Sequence, residues 1–265
     1  MAVVTFLSDY GLDDDFVGVC HGVLARLAPH VRVVDVTHGI ARHDVRGGAL
    51  VLRRALPYMP AGVHLAVVDP EVGAQRRAVA LLCADEGRML VGPDNGLLMA
   101  AAERFGGVVE AIDIGRSPLR LEPVSASFHG RDVFAPVAAQ LAAGAPLEAT
   151  GDPLDPAELV TLDLPRAQVT GDGLLAHVLQ ADRFGNVVLD VEHPQLAGSG
   201  LRLGRAVTVN GERALYATTF ADVPEGGLLL YEDGYRTLAL AVNRGSALAA
   251  LGLGLDDEVR IAPER

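Results

Sequence analysis

A carboxylate and a guanidinium stand close together in the sequence where a buried strand is expected to end. The apolar run 65–68 is typical of a buried strand, and it stops at Asp69-Pro70 because proline cannot continue a central ladder. Ligands bind to open α/β sheets at the carboxyl ends of the strands. Gly73 permits a tight turn, and Arg76 follows in the same segment. Asp69 with Arg76 is therefore a candidate site, although such pairs also occur as purely structural ion pairs.

A second polar segment, SFHGRD at 127–132, precedes a stretch with helical spacing of apolar residues. Ser127 is expected to cap this helix, and Pro136 falls in its first turn, where proline is tolerated. His129 then lies just before a helix N-terminus, where backbone N–H groups favour an anion or a developing negative charge. His129 is the histidine that we interpret as functional.

Other polar residues also follow predicted strands. They are Asp9, Thr37-His38 and Asp94-Asn95, and in a parallel sheet they converge on one edge together with Asp69. Asp9 has an alternative interpretation as a cap of the turn that follows it.

A polar and aromatic turn, Asp182 to Asn186, separates two predicted strands in the second half of the chain. Phe184 offers a face for stacking, and Asn186 offers paired donors and acceptors for the edge of a base or a ribose.

Metal ligation is not favoured by the spacing of the acids and histidines. Asp13, Asp14 and Asp15 are typical of a solvated helix start. No HxH or HExxH motif occurs, and we interpret these histidines as structural: His38, His43, His64, His177 and His193.

The elements that position these residues alternate between strands and helices up to about residue 145. Strands are predicted at 3–7, 31–36, 65–68, 78–82, 89–91 and 108–113, and helices at 16–27, 45–56, 97–105 and 133–141. This order predicts an α/β domain over 1–160 with a largely parallel sheet. The Pro- and Asp-rich segment 146–165 is interpreted as a linker between domains.

Short strands without intervening helices are predicted for the rest of the chain, with Asn210-Gly211 as a hairpin turn. They lie at 174–180, 187–190, 206–209, 214–218, 228–231 and 238–242. The pattern predicts a smaller all-β domain, a barrel or a sandwich, over 168–265.

Composition excludes several classes of function. The net charge of −12 argues against nucleic acid or an anionic membrane as a partner. The chain contains no lysine, which removes Schiff-base chemistry and a Walker-type phosphate site. Two scattered cysteines, Cys20 and Cys83, and an N-terminus without a basic region predict a cytoplasmic protein with no signal peptide. No apolar run is long enough to span a membrane.

Several segments taken together resemble one family. From residue 5 to about residue 247, in the family's order, they are TFLSDYG, DDDFVG, DVTHGI, VVDPEVG followed by RR, VGPDNGLL, SFHGRDVFAPVAA, DRFGN, ADVPEG and AVNRGSA. This set resembles the S-adenosyl-L-methionine (SAM) hydroxide adenosyltransferases, which are relatives of the enzymes that fluorinate or chlorinate the same substrate.

The resemblance implies an enzyme that splits SAM into adenosine and L-methionine by attack of water on the ribose 5′ carbon, without cofactor or metal. It implies a homotrimer with each site between one subunit's N-terminal domain and a neighbour's C-terminal domain. The family's catalytic triad matches Asp69, Arg76 and His129. Its substrate contacts match Asp9, Asp69, Asp182, Phe184, Asn186 and Tyr231, and backbone groups near Ala239 and Ala241.

The chain departs from the family pattern at a few positions. Glu71 stands where a glycine is usual, Ser127 replaces a threonine, and Glu232-Asp233-Gly234 lacks a serine expected near the adenine. Arg77 adjoins Arg76, so a shift of one residue would exchange their roles.

Three other functions stay open. A halogenase of the same superfamily is disfavoured because His129-Gly130 is present and the span 69–129 shows no extra loop. A metal-dependent phosphohydrolase would use carboxylates, which suit divalent cations: Asp9, Asp13, Asp14, Asp69 and Asp94. A sensor would bind adenosine or SAM without turnover.

Overall fold

The computed structural model describes residues 2–264. The chain divides into two compact units with a boundary between Leu162 and Asp163, here called the N-terminal and the C-terminal unit. Among the described residues, no helix is long and apolar enough to cross a membrane.

The N-terminal unit is built on a seven-stranded sheet with the strand order β2-β1-β3-β5-β4-β6-β7. The strands are β1 (Val3–Ser8), β2 (Arg32–Thr37), β3 (Val63–Val67), β4 (Ala78–Cys83), β5 (Met89–Pro93), β6 (Val108–Asp113) and β7 (Asp152–Leu154). The four strands β2-β1-β3-β5 are parallel, and β4, β6 and β7 pair antiparallel. Strands β4 and β5 form a hairpin without a crossover helix, which is why the parallel order ends there.

The helices of this unit are α1 (Phe16–Leu27), α2 (Val45–Ala55), α3 (Met99–Arg104) and α4 (Ala135–Ala142). Helix α1 packs against α4, and α2 packs against α3. Phe6 and Val67 from the parallel strands share one apolar cluster with residues of α1 and α4. The four predicted helices are confirmed, with shifts of a few residues at their ends.

One local prediction is wrong and another is correct only in part. A π-helical turn, Gly130–Phe134, precedes α4, and Ser127 does not cap it with its side chain. The predicted linker 146–165 contains the boundary between the two units, but most of it belongs to the N-terminal unit, where it forms short 3₁₀ turns and the edge strand β7. Sequence analysis did not predict β7 because the strand contains Pro153, and proline is tolerated in an edge strand but not in a central one.

The C-terminal unit is a closed barrel of seven strands in the order β10-β14-β13-β12-β11-β15-β9, and β9 pairs again with β10. Its strands are β8 (Gln168–Thr170), β9 (Gly173–Ala181), β10 (Val187–Leu189), β11 (Ala206–Val209), β12 (Glu212–Tyr216), β13 (Leu228–Glu232), β14 (Leu238–Val242) and β15 (Glu258–Pro263). Strand β8 pairs with β9 and is not one of the seven strands that close the barrel. The predicted all-β domain is therefore a barrel.

The predicted hairpin at Asn210-Gly211 is confirmed. Val209 pairs with Glu212, and both turn residues have positive φ, 51° and 92°, as a type I′ turn requires. Sequence analysis missed β8, β15 and the short helices α5 (His193–Gly198) and α6 (Ala247–Leu251). The expectation of strands without helices is therefore wrong, because five or six residues carry too little periodicity to predict a helix.

Candidate active site

Two predicted site residues emerge at the same edge of the N-terminal sheet. Strands β1 and β3 are parallel neighbours, and Ser8 pairs with Val67. Asp9 follows Ser8 directly and Asp69 lies two residues after Val67, so both carboxylates leave the sheet at its carboxyl edge. Asp9 Oδ2 accepts a hydrogen bond of 3.0 Å from the backbone N–H of His43.

The buried guanidinium of Arg76 joins Asp69 to His129. Arg76 Nε donates to Asp69 Oδ1 over 2.8 Å, and Nη2 donates to Asp69 Oδ2. Nη2 also donates to His129 Nδ1 over 2.9 Å. The side chains of Arg76 and Asp69 are only 4% and 6% exposed, and the guanidinium lies 5.2 Å from the ring centroid of Phe134. The bidentate pair therefore holds a cation against one nitrogen of the imidazole.

This contact determines which nitrogen of His129 carries the proton. A guanidinium can only donate, so Nδ1 must accept and the neutral imidazole carries its proton on Nε2. Burial and the charge of Arg76 lower the pKa of His129 below its usual value. His129 is thus a neutral group whose Nε2–H is a hydrogen-bond donor.

The loop that carries Arg76 reaches the loop before His129 through a glycine. Gly73 has φ of +78°, and a Cβ there would overlap the carbonyl oxygen of Ala126. A side chain at position 73 would force the two loops apart. The close approach of Arg76 to His129 therefore depends on Gly73.

Sequence analysis missed Tyr10, which lies in the same region. A Cβ at Gly130 would overlap the phenol oxygen of Tyr10, so this glycine gives the phenol its place. Burial raises the pKa of Tyr10 well above its usual value, and the charges of Asp9 and Asp69 raise it further. The position of Tyr10 directly after Asp9 was the available signal.

Arg77 and the pair Asp94-Asn95 make contacts with other segments of the chain and not with Asp69 or His129. Arg77 donates to Asp94 Oδ2 over 2.7 Å and to Glu158, and Asp94 Oδ1 accepts from the N–H of Val160 over 2.9 Å. Asn95 donates to the carbonyl of Val68 over 2.9 Å. Arg76, not Arg77, is therefore the partner of Asp69. Asp94 and Asn95 form hydrogen bonds that link neighbouring segments beside the carboxyl edge of the sheet.

In the C-terminal unit, the predicted turn between β9 and β10 is organised by Asp182. Its Oδ1 accepts from the N–H groups of Phe184 and Asn186, and its Oδ2 accepts from the Asn186 side chain over 2.8 Å. Asn186 is buried, whereas the ring of Phe184 is 64% exposed. Asp182 is therefore a positioning residue for Asn186.

The other predicted contacts lie on strands beside this turn. Tyr231 on β13 pairs with Ala239 on β14, and Leu240 pairs with Val187 at the start of β10. Ala241 therefore lies past the end of the β10 ladder, across from Asn186. Burial, and then the charge of Asp182, raise the pKa of Tyr231 to about 12. The centroid of the Phe220 ring, which sequence analysis missed, lies 5.2 Å from that of Tyr231.

The carboxylates that a metal-dependent phosphohydrolase would use do not converge on a metal centre in the part of the chain that the structure describes. Asp69 is paired with Arg76 and Asp94 with Arg77. Within residues 2–264, the side chains that converge closely enough to hold a metal ion are instead His21, Asp35 and His38.

Comparisons with known proteins agree with these features. Residues 4–151 match the model of the SAM hydroxide adenosyltransferase N-terminal domain, and residues 176–260 match that of the C-terminal domain. The chain belongs to the SAM hydroxide adenosyltransferase family. This confirms the resemblance that the motifs indicated.

The relatives of this chain differ in their sequence identity to it. A Salinispora tropica protein named (R)-S-adenosyl-L-methionine hydrolase is 49% identical over 97% of this chain and 97% of its own length. A fluorinase of Nocardia brasiliensis is 28% identical over 98% of this chain and 97% of its own. The crystal structure of an uncharacterized conserved protein from Thermotoga maritima has a TM-score of 0.90 and 35% identity, with 98% of this chain and 99% of that one covered.

Gly73→Ala is expected to destabilise the protein and to reduce activity. Left-handed backbone conformation costs alanine about 1–2 kcal/mol, and the overlap with Ala126 adds about 1–3 kcal/mol. Gly107→Ala is the matched control, because Gly107 also has positive φ but open space around its Cβ position. Urea unfolding and turnover measure both effects. Equal losses in the two variants would contradict the role assigned to Gly73.

Burial and the charge of Arg76 are expected to hold the pKa of His129 below the usual value of a histidine, and Arg76→Gln should raise this pKa because the neighbouring cation is removed. Resolved NMR titration of the histidine side chains measures this. His129 stays neutral above its lowered pKa, so activity should decline only as pH falls through that value. An unchanged His129 titration in Arg76→Gln would show that the two groups are not in contact.

Proposed function

We propose that this protein hydrolyses SAM to adenosine and L-methionine by attack of water or hydroxide on the ribose 5′ carbon. The observation that carries the proposal is the buried Arg76 held by Asp69 against His129, in a chain that is 49% identical to a protein named (R)-S-adenosyl-L-methionine hydrolase. The name of that relative specifies the R epimer of SAM, and we extend this preference to the present chain.

The chemistry of the substrate determines what the site must do. The 5′ carbon carries a sulfonium, which leaves as a neutral thioether and needs no general acid. Water is a poor nucleophile, so the site must favour hydroxide and align it opposite the C–S bond. The charge of Arg76 and the Nε2–H of His129 are both suited to hydroxide. Donors of this kind are typically worth about 10²–10³ in rate.

The remaining residues are assigned to binding. Asp69 fixes Arg76 and helps to hold the sugar, and Asp9 accepts both ribose hydroxyls. Asn186 reads the adenine edge and Phe184 flanks the ring, with Tyr231 and the backbone near Ala239 and Ala241 completing the adenine contacts. Asp182 positions Asn186. The proposal requires no cofactor and no metal ion.

We extend the proposal to organisation. Domains 1–160 and 168–265 divide the work, since the first carries the triad and Asp9 and the second the adenine contacts. In a homotrimer, each site would take the first domain from one subunit and the second from a neighbour. Free, buried Cys20 and Cys83 support a cytoplasmic location.

Two observations favour water over a halide. His129-Gly130 is present, and the imidazole is engaged by Arg76. The Nocardia brasiliensis fluorinase is 28% identical to this chain, whereas the Salinispora tropica hydrolase is 49% identical.

Purified protein incubated with SAM in ¹⁸O-water should release L-methionine and adenosine labelled at the 5′ oxygen. Arg76→Met and His129→Ala should each lower kcat by about 10²–10³ while adenosine still binds. Arg77→Met is the matched control, since its contacts with Asp94 and Glu158 affect stability rather than turnover. Normal turnover in both site variants would refute the mechanism.

The same assay separates the rival functions. Halogenated adenosine in the presence of chloride or fluoride would identify a halogenase, and complete loss of activity with a chelator in the His21→Ala variant would identify a metal enzyme. Binding of SAM without release of methionine would identify a sensor. Separate assays of the two sulfonium epimers test the R preference.

Mixing two inactive variants tests the shared site. His129→Ala disables the first domain and Asn186→Ala the second, so mixed trimers should regain activity wherever intact domains meet. With random mixing of equal amounts, about one quarter of the sites in a cyclic trimer would be intact. Each variant refolded alone is the control. No recovery from a mixture that exchanges subunits would place each site within one chain.

A further inference from the structure

Three potential metal ligands converge at one side of the N-terminal sheet, outside the triad. His21 lies on α1, Asp35 on the edge strand β2, and His38 directly after β2. His21 Nε2 lies 2.8 Å and His38 Nε2 lies 3.1 Å from the same oxygen, Asp35 Oδ1. All three ligand atoms lie within 4.8 Å of one another.

The buried member of this cluster has a nitrogen directed into it. His38 is only 4% exposed, and its Nε2 makes no hydrogen bond of acceptable geometry to any described residue. On the other side of the ring, Nδ1 lies 2.8 Å from Ser8 Oγ. When Nδ1–H donates to this hydroxyl, the lone pair of Nε2 faces Asp35. A histidine held through its second nitrogen is typical of metal sites.

We propose that His21, Asp35 and His38 form a binding site for a zinc-class divalent cation. Ligands about 2.05 Å from a tetrahedral zinc lie about 3.3 Å apart. The observed separations from Asp35 Oδ1, 2.8 and 3.1 Å, need to widen by a few tenths of an ångström, and the two imidazole nitrogens, which lie within 4.8 Å of one another, need to adjust to the same spacing. Small rotations of the half-exposed His21 and Asp35 side chains supply this change.

The donor set selects the class of ion. Two imidazoles and one carboxylate suit zinc and its first-row neighbours, whereas calcium and magnesium prefer oxygen ligands. The side chains of His21 and Asp35 are 36% and 41% exposed. An ion can therefore enter from solvent and complete its coordination with water.

The site adjoins the loop that carries Asp9. Ser8, which holds His38, precedes Asp9, and the N–H of Tyr10 donates to Ser8 Oγ over 3.3 Å. The carbonyl of His38 accepts from the N–H of Gly11 over 2.8 Å. A bound ion would therefore brace the loop 8–11 from the side, without contacting the reacting atoms.

Calorimetric titration of chelator-treated protein with zinc chloride tests the site. Wild-type protein should bind one ion per chain, and its thermal midpoint should rise by ~5 °C at a hundredfold excess over Kd. His21→Ala and Asp35→Ala should each weaken binding at least about tenfold, because even the loss of an outer-shell partner of a metal ligand typically costs about 10–100-fold in affinity. His30→Ala, at an exposed histidine just after α1, should bind like wild type.

Melting of the metal-free variants shows whether they are folded, and His21→Ala removes only a half-exposed side chain. Wild-type binding no tighter than in both folded ligand variants would overturn the proposal, as would an equal thermal shift with magnesium. Neither measurement uses SAM, so the result is independent of the proposed activity.

Discussion

The contact on which the N-terminal unit's site depends is a guanidinium buried between a carboxylate and an imidazole. Removing Arg76 and Asp69 from water is unfavourable unless both stay paired, because a buried charge without its partner is strongly destabilising. The bidentate geometry compensates for that loss, and Nη2 of Arg76 also donates to His129 Nδ1. The surrounding loops are constrained to preserve this arrangement. Gly73 allows the close approach of one loop, and Gly130 leaves room for the phenol of Tyr10.

The same contact favours one chemistry over another. Burial and a neighbouring cation both disfavour an imidazolium, so His129 is held neutral with its proton on Nε2. The pair therefore presents a positive charge and a neutral donor, which together favour a small anionic oxygen nucleophile. Under the proposed function, acid catalysis is unnecessary because the leaving group is already a sulfonium. The site then has to supply hydroxide and alignment, which donors fixed in advance do without reorganising during the reaction.

In the C-terminal unit, the fold holds the polar turn at residues 182–186 in one conformation. Closure of the barrel through β9 and β10 fixes both strands that flank residues 182–186. Asp182 then uses both carboxylate oxygens inside the turn, which leaves Asn186 in one orientation. In the N-terminal unit, a cation bound at the proposed site would hold the loop after β1 in place in a similar way. In both places, hydrogen bonds within a short segment hold a residue that is assigned to substrate.

The amino-acid sequence by itself determined the long elements, the two architectures, the hairpin at Asn210-Gly211 and the family, because apolar periodicity, turn residues and motifs are local signals. It also identified Asp69, Arg76 and His129 as candidates. Only the tertiary structure decided that Arg76 rather than Arg77 contacts Asp69, since adjacent residues on a loop have no periodicity that distinguishes them. The tertiary structure also showed three further features: the antiparallel half of the sheet, strand β7, and the cluster of His21, Asp35 and His38. These features depend on pairing between distant segments, and no local pattern records which segments will meet.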